Sequence, residues 1–266
     1  MSKKKLKKVA ECGFIPGIYN YCDRWCERCR QQMRCMSYVM GKRIEERGGF
    51  NFDREAGRED ESIWARLKDV FESTYEVLNE LAEEQGIDVE DIYAAENIDR
   101  EFWGDDYEAR EQGRDCDAMI EASDIIRMCA IYEHLGDKCL EKLFEITDEK
   151  PENQCQTAIN EPLEVVSWYL DLIQAKMRRA LHGYYFYSKG SKKGRDDFNG
   201  SAKVALLSID CSIENWKKVQ SGYPGYQKEI SHLLVILQQL QVDVELQFPE
   251  ARTFLRPGFE IPEIPV

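Results

Sequence analysis

Apolar residues return every three or four positions along most of this chain, and the alternating patterns that build strands hardly occur. The periodicity predicts a helix from Ser62 to Gln85, striped by Ile63, Leu67, Val70, Phe71, Val77, Leu78 and Leu81 and closed by Gly86. A short helix is expected after Asp88, in VEDIYAAEN. From Cys116 to Phe144 a second long stripe predicts a helix bent or broken near Gly136. Ala158 to Tyr187 reads as a major core helix in which Pro162 is tolerable only in the first turn. The run SAKVALLSIDCSIENWKKVQ predicts the next helix, capped by Asp197 or Asn199 and ended by Gly222 and Pro224, and a last helix spans Tyr226 to Leu246.

Each of these stripes has to be covered by another helix, so the fold class is all-α, an antiparallel helical bundle with an N-terminal cysteine-ligated segment. The expected regions are a basic cysteine-rich segment at 1–48, an acidic helical bundle at 62–247, and an extended Pro-containing tail at 248–266. Between the first two, Gly48 to Gly57 reads as a polar linker.

Charge sharpens that division. The net charge of −14 is the sum of +7 in residues 1–48 and −21 in the rest of the chain. An acidic body repels phosphates, which argues against nucleic acid as a partner. The longest apolar run, LLVILQQL, is far short of the ~20 residues that cross a bilayer, so no membrane span is expected. The basic run at the N-terminus is not followed by the apolar stretch of a secretory signal, so a cytoplasmic location with reduced thiols is expected.

The chemistry that stands out is YCDRWCERCRQQMRCMSY, which carries Cys22, Cys26, Cys29 and Cys35 with Arg24, Arg28, Arg30 and Arg34 among them. On one helix the first three cysteines would share a face, the arrangement of a thiol stripe packed into a core. Four thiols this dense in a reducing compartment point instead to a shared metal, with Cys12 as the substitute ligand. The other cysteines, Cys116, Cys129, Cys139, Cys155 and Cys211, are scattered through helical stripes and read as packing residues. Only one CxxC is present and no histidine precedes His134, which favours a [4Fe-4S] cluster over zinc. The four arginines are suited to compensate the negative charge of such a centre.

The tail CERCRQQMRC resembles the cluster loop of the endonuclease III class of DNA glycosylases over little more than ten residues. The resemblance implies cluster chemistry; no helix-hairpin-helix accompanies it, so it does not imply glycosylase activity. The spacing Cys22-x3-Cys26-x2-Cys29 also matches the radical S-adenosylmethionine signature, but the strand–helix alternation of that family's barrels is absent. The longer stretch IPGIYNYCDRWCERC followed by a helical body resembles a group of bacterial proteins of uncharacterised activity, which implies architecture only.

Within the bundle, Glu229 and His232 form one Glu-x-x-His pair where a di-iron site needs two, and a surface pair is the expected reading. Glu161, Glu164, Trp168 and Ala175, with Lys176 and Arg179 nearby, place charge along an otherwise apolar helix, as do Lys203 and Asp210 on the next. Such residues form solvated ion pairs, pair across the bundle, or line a small-molecule pocket. The Gly-rich basic stretch GSKKGRDDFNGSAK is expected to be an exposed loop. Three functions follow from these features. The first is an iron–sulfur protein that transfers electrons or senses redox state, with a redox protein as partner. The second is a zinc-stapled helical interaction module without a redox role. The third is a bundle enzyme with an accessory cluster.

Overall fold

The computed structural model describes residues 13–46, 60–84, 86, 115–148, 154–187 and 192–260. Among them there is no strand, and the fold is an all-α helical bundle. In chain order the helices are α1 (Met36–Glu46), α2 (Asp60–Glu84), α3 (115–121), α4 (Asp124–Asp148), α5 (Gln154–Tyr187), α6 (Lys192–Gly222) and α7 (Gln227–Gln247). None of the described helices is long and apolar enough to cross a membrane. The expected linker at Gly48–Gly57 and the short helix after Asp88 lie outside the described residues.

The chain divides into two compact units. In the head, α1 lays Val39 and Ile44 against Val77 and Leu81 of α2, with Phe14, Met33, Tyr38 and Met40 around them. Arg43, largely buried beside this seam, bonds Glu84 at 2.6 Å. Gly86 ends α2 as expected, with a φ of 66° that a side chain would disfavour. In this division α2 groups with the cysteine-rich segment.

The body comprises Asn20–Asp23 and the described residues from 115 onward. Helix α5 packs chiefly on α6, α6 on α7, and α4 on both α5 and α7. The connection at 188–191 is too short for two such long helices to lie side by side in any but antiparallel order. Leu163, Val166, Ile173 and Met177 of α5 meet Leu206, Ile209 and Trp216 of α6 in a core without solvent exposure. At its heart the Trp216 indole N–H donates to the Tyr132 hydroxyl at 3.0 Å, so neither polar atom is stranded.

Three helix boundaries differ from the periodicity. The break expected near Gly136 falls at Ala122–Ser123, where Ser123 takes the N-cap position and its carbonyl accepts the amide of Arg127 at 3.1 Å. Gly136 lies inside α4, where a Cβ would stand 2.5 Å from Leu170 Cδ1; its role is close helix approach. Pro162 sits within α5 and not in its first turn. A proline there costs about 3 kcal/mol, which the neighbouring Leu163, Val166 and Leu170 offset at about 1.5–3 kcal/mol each.

The third concerns GSKKGRDDFNGSAK, expected as a loop: α6 begins at Lys192, so Asp197 and Asn199 are helical and cap nothing. Phe198 explains the difference, because it is buried against Tyr184 and Phe248 and draws this turn into the core. The described part of the tail is likewise not simply extended. Phe248 and Ala251 are buried, Ala251–Thr253 forms a 3-10 turn, and Arg252 bonds Asp210 at 2.5 Å and Glu245 at 2.8 Å.

Candidate functional site: the cysteine loop and its seat

The cysteine stretch is not one helix. Single 3-10 turns at Ile18–Asn20, Cys26–Arg28 and Gln32–Arg34 are joined by extended residues, so the thiol stripe of a core-facing helix is not formed. Arg24 has a φ of 60°, in the left-handed region that a non-glycine residue occupies at a cost of roughly 1 kcal/mol or more. The following residue, Trp25, closes an inverse γ-turn in which the Cys26 amide bonds the Arg24 carbonyl at 2.9 Å. Cys29 and Cys35 each follow a 3-10 turn in extended conformation, and the Cys35 carbonyl accepts the first helical amide of α1, that of Val39. The Gln32 side chain donates to the Cys26 carbonyl and so braces the two turns against each other.

All four loop cysteines are half-buried. The Cys29 sulfur accepts the backbone amide N–H of Gln31 at 3.4 Å. Of the arginines expected to serve the centre, Arg28 stacks its guanidinium 3.9 Å above the buried Trp25 ring, and Arg34 reaches the Gly13 carbonyl at 3.5 Å. Arg24 and Arg30 are exposed. Cys12 lies outside the described residues. Among the described residues no three His, Cys, Asp or Glu side chains converge as a ligand set. The four thiols are donors of the kind that binds a metal as thiolates, but among the described residues they are not gathered into a ligand set.

The residues around Cys22 belong to the body and are held on several sides. Lys176 donates to the Asn20 carbonyl at 3.2 Å, and Arg179 reaches Asn20 Oδ1 at 3.5 Å while pairing with Asp197 at 2.6 Å. The Tyr21 ring lies 5.0 Å from that of Phe254 and directly over Gly200, where a Cβ would come within 2.3 Å of it. Burial, followed by the charge of Asp197, raises the Tyr21 phenol above its ordinary range. On the other side of Cys22, Asp23 takes two bonds from α5, from the Trp168 indole to its carbonyl and from the Tyr169 hydroxyl to its carboxylate, both at 3.0 Å.

Much of the charge noted along the core helices therefore grips other parts of the chain. Trp168, Lys176 and Arg179 seat Asn20–Asp23, while Lys203 bonds the Arg252 carbonyl at 2.6 Å and Asp210 pairs with Arg252. Glu229 and His232 are exposed, in keeping with a surface pair. Sequence reasoning missed Tyr169 and Gly200, because the stretch around Gly200, DDFNGS, reads locally as a loop rather than as a helix with a close approach.

The chain matches no family model, no curated protein and no solved structure.

Proposed function

We propose that Cys22, Cys26, Cys29 and Cys35 bind a [4Fe-4S] cluster through four thiolates, and that the protein transfers electrons or senses redox state through it. The supporting observation is the partition of the thiols. Those of the loop are all half-buried and clustered along one short stretch of turns, whereas in the body Cys116, Cys129 and Cys139 are buried as packing residues and the half-buried Cys211 stands alone on α6. When bound, a cluster supplies a one-electron couple whose potential depends on charge and on hydrogen bonds to sulfur. Here the chain offers the Gln31 amide to Cys29, and Arg24, Arg28, Arg30 and Arg34 as compensating positive charge. A redox protein is the matching class of partner. A structural zinc ion on the same thiolates is the competing reading, favoured by the Cys26-x2-Cys29 spacing that tetrahedral zinc sites share.

An anaerobic preparation decides between them. The cluster reading expects a brown protein absorbing broadly near roughly 400 nm, with about four iron and four sulfide per chain. A colourless protein with one zinc overturns it in favour of the staple, and a protein free of both metals overturns both.

A further inference from the structure

We infer that the outward face of α7 is the contact through which two copies of this chain pair, antiparallel about a two-fold axis that passes between Gln238 and Gln239. Every residue involved belongs to the body, so the pairing does not depend on the metal.

The face is marked by the charge it lacks. From Ser231 to Leu246 the exposed positions of α7 hold Val235, Val242 and Leu246, with Gln238, Gln239, a serine and a histidine, and no Asp, Glu, Lys or Arg. At about 3.6 residues per turn these positions form one stripe, roughly a third of the helix wide. Val235 is 63% and Leu246 75% exposed, so neither side chain serves the core. The outward sides of the neighbouring helices differ: Asp137 and Lys138 stand exposed on α4, Glu161 and Asp171 on α5, Lys217 and Lys218 on α6. A chain of net charge −14 repels its own copy where acidic faces meet, and the buried centre of a protein interface is depleted of charge. Among the described helices of the body, α7 alone offers a face that avoids this repulsion.

A second copy fits because the stripe matches itself. With that axis, Val235 of each copy faces Val242 of the other, and Gln238 faces Gln239, whose amides both donate and accept. Gln239 Nε2 already donates to Asp243 at 2.9 Å, which leaves its oxygen to accept from Gln238. Antiparallel order also brings the exposed Lys228 to the C-terminal end of the other copy's α7, the negative end of its helix dipole. The nearest acids, Asp243 and Glu245, lie on the flanks and are engaged within the chain, Glu245 by Arg252 at 2.8 Å. A single helix face about 27 Å long and about 10 Å wide covers less than the roughly 800 Å² that each partner gives to a stable complex, so the pairing is weak and reversible.

Sedimentation of the full chain from about 1 µM to about 1 mM reads the pairing, and the parent is expected to pass from monomer to dimer within that range. Val235→Glu and Val242→Lys each set a charge against an apolar residue of the copy, and each is expected to weaken the dimer at least about 10-fold. Combined in one chain, the two substitutions set opposite charges against each other across the axis, and the double variant is expected to regain most of the parent affinity. Contact within one helix cannot produce that rescue, because positions seven apart lie about two turns from each other. Ile131→Glu, at an exposed site on α4, is the control and is expected to leave the dimer unchanged. Should Val235→Glu fail to fold, Leu246→Glu tests the face in its place. A parent that stays monomeric throughout overturns the inference and leaves the face to a partner of another kind. A dimer that Val235→Glu leaves intact, that Ile131→Glu weakens as much, or that the double variant fails to restore overturns it as well.

Discussion

The loop and the body use the same side chain in opposite ways. In the body, burial pushes the Cys129 thiol up to about 12 and Cys139 to about 11, and it raises Cys116 and the half-buried Cys211 as well. A thiol held neutral neither ligates nor reacts, and it packs as a small apolar group. In the loop, Cys22, Cys26, Cys29 and Cys35 stay within reach of solvent, and an amide points at one sulfur. Where the backbone puts a cysteine thus decides whether its thiolate is open to chemistry, since a core that excludes water also disfavours the thiolate.

Breaking that contrast outright takes one substitution in each region. Cys29→Ser is expected to abolish metal binding, whereas Cys129→Ser leaves metal content unchanged and lowers stability by about 1–3 kcal/mol by burying a hydroxyl in an apolar site. Metal analysis beside thermal melts reads both, and equal metal loss in the two variants would erase the distinction.

A pH-dependent effect follows from the body's buried acids. The Cys129 thiol ordinarily titrates at 9.0, and its folded value near 12 means that the unfolded chain loses this proton first as pH rises. Its contribution to stability is therefore full below pH 9.0 and lost as pH climbs to about 12, about 4 kcal/mol at most for this group. Tyr132, pushed up to about 12 by burial, adds a loss of the same sign above its ordinary 10.0. Urea unfolding at pH 8 and pH 11 measures the decline, and Cys129→Ala is expected to shrink it. A slope unchanged in that variant would mean the thiol is not sequestered.

A last comparison separates two glycines. At Gly200 a methyl group meets the Tyr21 ring and also lies 2.9 Å from Phe254, so Gly200→Ala is expected to cost about 1–3 kcal/mol and to loosen the seat. At Gly136 the methyl meets only the tip of Leu170, which can rotate away, and the gain in helix propensity of about 1 kcal/mol offsets most of the strain. Thermal melts of the two variants should differ in that order.

Periodicity made the helices legible because their stripes are long and one-sided, as in α5 and α7. It misplaced the start of α6, since charge and glycine in GSKKGRDDFNG read locally as a loop while burial of Phe198 is a tertiary effect. It also put a break at Gly136 because a glycine that admits a neighbouring side chain looks, in one dimension, like a glycine that ends a helix. At the cysteine loop, residue types alone pointed to metal chemistry. Its seat was only half visible: Trp168, Lys176 and Arg179 stood out as polar groups on an apolar helix, but their partners lie up to 159 positions away in the chain.

That separation sets a clock on maturation. Asn20–Asp23 leaves the ribosome well over a hundred residues ahead of the α5 side chains that seat it, with Trp168 following Asp23 by 145 positions and Gly200 later still. At about 5–20 residues per second the four-cysteine stretch spends roughly 10–30 s of synthesis without its seat. During that interval the thiols stand on a chain whose neighbours at Asn20–Asp23 have not yet met Trp168, Tyr169, Lys176 or Gly200.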